Sequence, residues 1–186
     1  EDVIVNEDPE TVAAVILEPI CNTGGMVTPT EEYLRILRDC CTRHNVLLIF
    51  DEVITGFRLA LGGAQEYYGV LPDLATYGKI IGGGLPVGAY GGRRDVMEMI
   101  APLGPVYQAG TLSGNPLGVS AGLATLRSLR KPRVYDRLET LGSRLEDGLR
   151  ATALDASTPL QVNRMGSMLT LFFNEEAVED FTSASS

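Results

Sequence analysis

The chain has 186 residues, 45% of them apolar, which suffices to bury one ordinary core in an α/β or α+β arrangement. Its 24 acidic residues outnumber the 15 lysines and arginines, and a net charge of −9 argues against nucleic acid and anionic membrane as partners. No run reaches the roughly 18 continuous apolar residues of a membrane helix, and three cysteines, two of them the neighbours Cys40 and Cys41, make no paired disulfide framework, so a reducing, cytoplasmic setting is expected.

Val12 to Leu17 is short, apolar and rich in β-branched residues, and it closes at Glu18-Pro19, the pattern of a buried strand. After a loop with Gly24 and Gly25, Thr28, Pro29 and Glu31 predict a helix start with Thr28 as the cap. Tyr33, Leu34, Leu37 and Cys41 fall on one face of that helix. Val46 to Phe50 is apolar throughout and runs into Asp51-Glu52, as a strand buried on both faces of a parallel sheet does. Strand, helix and strand in this order make a βαβ crossover.

Leu74 to Tyr77 is a third strand leading to Gly78-Lys79, and Val87 to Tyr90 a fourth that follows Gly82, Gly83 and Gly84. Helices are predicted over Arg93 to Ile100, over Pro116 to Leu129 with Asn115 as its cap, and from about Arg133 to Arg150. Ser167 to Phe173 reads as a last strand. The expected organisation is an α/β sheet unit over residues 1–130 and the beginning of a smaller α+β unit over 131–186. A start at Glu1 and an end in Thr182 to Ser186 make the chain an expected piece of a longer protein, one whose unpaired sheet edges would hinder folding alone.

Only two lysines stand against 13 arginines. Lys131 lies in the charged stretch Arg130 to Arg133, whereas Lys79 follows a strand end and precedes Ile80, Ile81 and the glycine run, where burial would free its amine for attack on a carbonyl. Asp51 ends another strand of the same sheet, and ligands of open α/β sheets bind at such carboxyl ends. An acid there can keep a pyridine nitrogen protonated, while the lysine forms an imine and moves protons. The plainer readings are a surface lysine at a strand end and, for Asp51-Glu52, a helix cap beside a solvated carboxylate.

An ATPase-like strand is the other reading of Leu47 to Glu52, but no G-x-x-x-x-G-K-[ST] phosphate loop accompanies it. The glycines at 82, 83, 84, 88, 91 and 92 do not form a dinucleotide fingerprint. Gly110 and Thr111, with Ser113, Gly114 and Asn115, offer amides and hydroxyls to a phosphate near a helix start, or form a simple capped turn. His44 is the only histidine and reads as a helix C-terminal residue; with no C-x-x-C spacing, no metal site is expected.

The stretch from Leu47 to Leu117, beginning LLIFDEVITGFR and running through YGKIIGGGLPVGAYGG to QAGTLSGNPL, resembles the class III aminotransferases, enzymes dependent on pyridoxal phosphate. The resemblance implies a partial fold type I large domain, α/β with a mostly parallel sheet. It also implies Lys79 as the lysine bonded to the cofactor, Asp51 as the partner of its ring nitrogen, and Val53 packed against the ring. Gly110-Thr111 would meet the phosphate of a neighbouring subunit's cofactor, so a homodimer is implied.

Ile54 stands where amine-specific members carry glutamine, and Thr23 where many carry glutamate. Thr55 to Arg58 and Gly110 to Pro116 instead look like the aminomutase group, which implies an amino acid semialdehyde as substrate. That group places an asparagine after the E-P segment, whereas here Asn22-Thr23 stands in shifted order.

Overall fold

The computed structural model describes residues 1–184. Its centre is a four-stranded sheet in the order β1 (Ala14–Leu17), β2 (Leu47–Glu52), β3 (Leu74–Tyr77) and β4 (Ala89–Gly92). The first three strands run parallel and β4 is antiparallel to β3, so the fold is α/β with a mostly parallel sheet. Around it lie α1 (Asp2–Asn6), α2 (Glu31–Arg43), α3 (Gly63–Tyr68), α4 (Arg94–Met97) and α5 (Pro116–Leu129). The chain continues through α6 (Val134–Asp155), a hairpin of β5 (Gln161–Met165) and β6 (Met168–Phe172), and α7 (Phe181–Ala184). None of the described helices is long and apolar enough to cross a membrane.

α2 carries Leu34, Cys40 and Cys41 on its buried face, with Glu31 and Glu32 in the first turn and Arg43 in the last, each complementing the helix dipole. Its cap is Thr30 rather than Thr28: the Thr30 hydroxyl accepts the Tyr33 amide at 3.1 Å. Pro29 therefore precedes the cap and stiffens the approach instead of filling the first turn. Tyr33 lies at the margin of the apolar stripe and stays half-exposed, whereas Leu34 is fully buried.

Burial along β2 alternates, with Leu48, Phe50 and Glu52 turned inward and Leu47, Ile49 and Asp51 on the opposite face. The expectation of a strand buried equally on both faces is thus corrected. The inward face packs into a cluster with Ile20, Leu34, Cys41 and Tyr68, while on the other face the neighbouring Ile16 of β1 is exposed. The strand also runs two residues longer than the apolar run, which places both acids inside it and on opposite sides.

β4 starts two residues later than predicted, because Ala89 pairs with Tyr77, the last residue of β3, and Val87-Gly88 lie beyond that end. α4 is a single turn, since Ile100 leaves the helix to bridge Val106. α5 matches its prediction: Pro116 opens it, and the Asn115 side chain accepts the Gly118 amide at 2.8 Å. α6 extends five residues past Arg150. β5 was not foreseen; only Val162 within it is buried, so its sequence lacks the alternation that marks a half-buried strand.

Met168 joins the core cluster of the sheet unit, and three hydrogen bonds also tie this later part of the chain to it. Tyr135 donates to the Phe57 carbonyl at 2.9 Å, Arg58 to the Ser167 carbonyl at 3.1 Å, and Asn163 to the Gly25 carbonyl at 3.2 Å.

Candidate active site

β2 and β3 place Asp51 beside Thr76 and Glu52 beside Tyr77 at their carboxyl ends. One oxygen of Asp51, Oδ1, accepts the Val53 amide at 3.1 Å and the Thr76 hydroxyl at 3.2 Å. These bonds fix the carboxylate's rotation at a half-buried position. The second oxygen, Oδ2, makes no hydrogen bond to the described residues and is free to accept one.

Glu52 faces the other way and is fully buried. Its Oε2 accepts the Ala64 amide at 2.6 Å and the Thr55 hydroxyl at 2.9 Å, and Oε1 accepts the Gln65 side chain at 2.9 Å. The expected solvated carboxylate at this pair is therefore corrected for Glu52, whose lone pairs are taken up by the loop that follows the strand. Gly63, at φ +69°, sits where a Cβ would collide with the Glu52 carboxylate. Only glycine combines that backbone with that space.

Lys79 lies just past β3 as the first residue of a 3-10 turn that runs to Gly82. Its φ is +47°, a conformation costing a non-glycine residue of the order of 1–2 kcal/mol. The expected burial of this lysine is not found: Lys79, in the turn beyond the strand end, is exposed. Gly78 before it is extended, and a Cβ there would lie 3.2 Å from Cγ1 of Val53. The segment after Asp51 and the segment before Lys79 thus touch through Val53 and Gly78.

Lys79 borders a cavity of about 540 Å³ together with Asn22, Ile54, Arg58, Ser167 and Thr170. Arg58, half-buried, makes no ion pair among the described residues. Asp51 does not border this cavity. A larger one of about 670 Å³ shares Arg58 and Ser167 and is bounded by Tyr67, Tyr135 and Arg164, but it includes neither Lys79 nor Asp51; the smaller one, which the candidate residue Lys79 borders, is the candidate site.

Gly110 and Thr111 form an exposed turn, closed by the Ser113 amide on the Gly110 carbonyl at 3.0 Å, and do not reach the Lys79 cavity. The Thr23 hydroxyl donates to Glu18 at 2.7 Å, while Asn22, its own amide bound to Glu18 at 2.8 Å, is the member of the pair that borders the cavity. His44 caps the end of α2, at the opposite end of β2 from the acids, near Glu1 and Cys40.

Sequence reasoning gave no role to Gln65 or Tyr77, read Glu52 only as a cap, a solvated acid or part of an ATPase-like strand, and took Arg58 only as part of the Thr55 to Arg58 run. Alternation along β2 would have pointed to Glu52, since Leu48, Phe50 and Glu52 are two apart.

Residues 1–185 match the aminotransferase class-III family. The chain belongs to the class-III aminotransferases. It is 60% identical over 175 residues to glutamate-1-semialdehyde 2,1-aminomutase of Pelotomaculum thermopropionicum, covering 94% of this chain and 40% of that protein. The enzyme of the same name from Myxococcus xanthus is 56% identical over 181 residues, with 97% and 42% covered.

Among solved structures, an omega-transaminase from Sphaerobacter thermophilus superposes with a TM-score of 0.89 at 35% identity, over 98% of this chain and 42% of that one. A glutamate-1-semialdehyde-aminomutase from Pseudomonas aeruginosa in complex with PMP gives 0.82 at 30% identity, over 98% and 42%. This class-III chain thus spans about two fifths of the length of the relatives it matches.

Proposed function

We propose that the protein containing this chain is a pyridoxal-phosphate-dependent glutamate-1-semialdehyde 2,1-aminomutase, forming 5-aminolevulinate for tetrapyrrole synthesis. The observation that carries the reading is the 60% identity over 175 residues to an aminomutase; it is supported by Asp51 at the carboxyl end of β2 and Lys79 two residues past the end of the adjacent parallel strand β3. The residue types suit the cofactor: the carboxylate of Asp51, locked by two hydrogen bonds, keeps one oxygen free, and the exposed amine of Lys79 borders a cavity of about 540 Å³, although Asp51 lies outside that cavity.

When bound, pyridoxal phosphate supplies an electron sink for the substrate carbon that loses its proton. Asp51 would accept a hydrogen bond from the ring nitrogen's N–H at Oδ2 and so keep that nitrogen protonated. Val53, close against Gly78, would pack on the ring. Lys79 would hold the cofactor through its amine, and the same amine could carry a proton between the two substrate carbons. Gly110 and Thr111 serve the phosphate of a neighbouring subunit's cofactor, which makes the working form a homodimer. Residues 131–186 begin the smaller C-terminal domain, and the enzyme is cytoplasmic.

Full-length protein is expected to convert the semialdehyde to 5-aminolevulinate with no external keto acid, and Lys79→Ala to lose this activity and the visible absorbance together. A second reading, a transaminase, is favoured by the higher TM-score to the omega-transaminase, 0.89 against 0.82. Amination of an external keto acid without 5-aminolevulinate formation would replace the first reading by the second.

A further inference from the structure

We propose that Glu52, acting through Gln65 and Tyr77, is a positioning residue that holds the strained backbone of Lys79 in its working conformation. The inference rests on the reading of Lys79 as the reactive amine. Left-handed backbone at a non-glycine residue persists only where its surroundings over-determine it, so something must hold the chain immediately before Lys79.

The hold starts from one carboxylate. Glu52 Oε1 accepts Nε2 of Gln65 at 2.9 Å, and the same nitrogen donates to the Tyr77 hydroxyl at 2.8 Å. Gln65 therefore spends both side-chain N–H groups on this chain of contacts. Tyr77 is the last residue of β3, two before Lys79, and its ring also packs on Phe57 with centroids 5.7 Å apart. Between Tyr77 and Lys79 stands only Gly78, held against Val53. Glu52 further accepts Thr55 and Ala64, so the loop leaving Asp51 and the strand end approaching Lys79 are referred to the same buried group.

A hydrogen-bonded network of this kind can hold a backbone more firmly than its separate bonds would. Burial pushes the Tyr77 hydroxyl's pKa up, opposed by the bond from Gln65, and so keeps it neutral as the acceptor in the chain. None of the network's three side chains borders the Lys79 cavity, so its influence on Lys79 runs through the backbone.

The test is Tyr77→Phe in the full-length protein, which removes the hydroxyl and keeps the ring. Two quantities are read: amide hydrogen exchange over residues 78–82 in the cofactor-free protein, and the rate at which the visible band appears on adding pyridoxal phosphate. Exchange is expected to rise about fivefold over that segment alone, and the band to form about threefold more slowly, with the thermal midpoint unchanged. Glu52→Gln, which must donate where the carboxylate accepts, is expected to exceed both effects; should it fail to fold, Tyr77→Phe decides alone. Unchanged exchange over 78–82, or a rise spread evenly over the chain, overturns the proposal whether or not cofactor binds. Changed exchange in a protein whose wild type gives no visible band overturns instead the assignment of Lys79.

Discussion

Replacing Asp73 by asparagine should cost stability and leave the chemistry alone. Asp73 stands at the entry to β3, nearly buried, where Oδ2 accepts the Leu48 amide at 2.8 Å and Arg38 at 2.7 Å and Oδ1 accepts Arg93 at 2.9 Å. One carboxylate thus joins α2, β2, β3 and the chain leaving β4. Burial pushes its pKa up, but the Leu48 amide and the two guanidiniums more than offset this and hold it below the ordinary carboxylate range. Asparagine keeps the shape, loses the charge, and leaves the largely buried Arg38 without its anion. Hydrogen bonds to a charged group contribute about 1.5–3 kcal/mol each. Leaving out the half-exposed Arg93, and allowing for the bond that the amide oxygen retains, the expected loss is about 3 kcal/mol at pH 7.

The assay is denaturant unfolding of full-length protein at fixed cofactor concentration, since bound ligand shifts apparent stability. A depressed folded pKa means that the contribution is complete above the unfolded value of about 3.9 and is lost as pH falls through the folded value. Wild type and variant should therefore converge as pH drops below about 4. A gap under 1 kcal/mol at pH 7, or one that stays constant into acid, would refute the reasoning. So would loss of the visible band at unchanged stability, because β3 separates Asp73 from the Lys79 turn by about 13 Å.

Thr30→Ala should cost about 1 kcal/mol by denaturant titration through loss of the α2 cap, with Thr30→Ser recovering most of it. Gly63→Ala should cost at least about 2 kcal/mol, since the added methyl meets the Glu52 carboxylate at a backbone angle alanine avoids; soluble yield and thermal midpoint report it. Asp51→Asn should keep the Thr76 contact and the fold yet lower kcat/KM about a hundredfold, which corresponds to roughly 2.7 kcal/mol of transition-state stabilisation. A full-rate asparagine variant would remove Asp51 from the proposed site.

The parts of this molecule set by local pattern were legible in advance. β3 and α5 lie where apolar runs and an Asn-Pro cap put them, because short-range sterics and capping decide those elements. β5 was missed for the opposite reason: its Q-V-N-R-M sequence acquires a strand only from pairing with β6. In the same way, Lys79 and Asp51 could be singled out by type and position, but not the turn that exposes Lys79 or the cavity that excludes Asp51. Those depend on Gly78, Val53 and the hairpin, which meet only in three dimensions.

The adjacent acids Asp51 and Glu52 illustrate how one strand divides two duties. Successive strand residues point to opposite faces, so a pair of neighbouring carboxylates cannot share a site; one must be turned towards the core. A buried carboxylate is tolerated only when its acceptors are filled. Glu52 meets that demand with donors drawn from the segment after the strand, Thr55, Ala64 and Gln65. Asp51 takes two local bonds and keeps one oxygen open. The arrangement links chemistry to folding. The loop that Glu52 gathers includes Val53 and reaches Tyr77 through Gln65, so a change at the buried acid alters what surrounds the exposed lysine. Substitution at Asp51 instead acts on its free oxygen and on its two local bonds, to Val53 and Thr76.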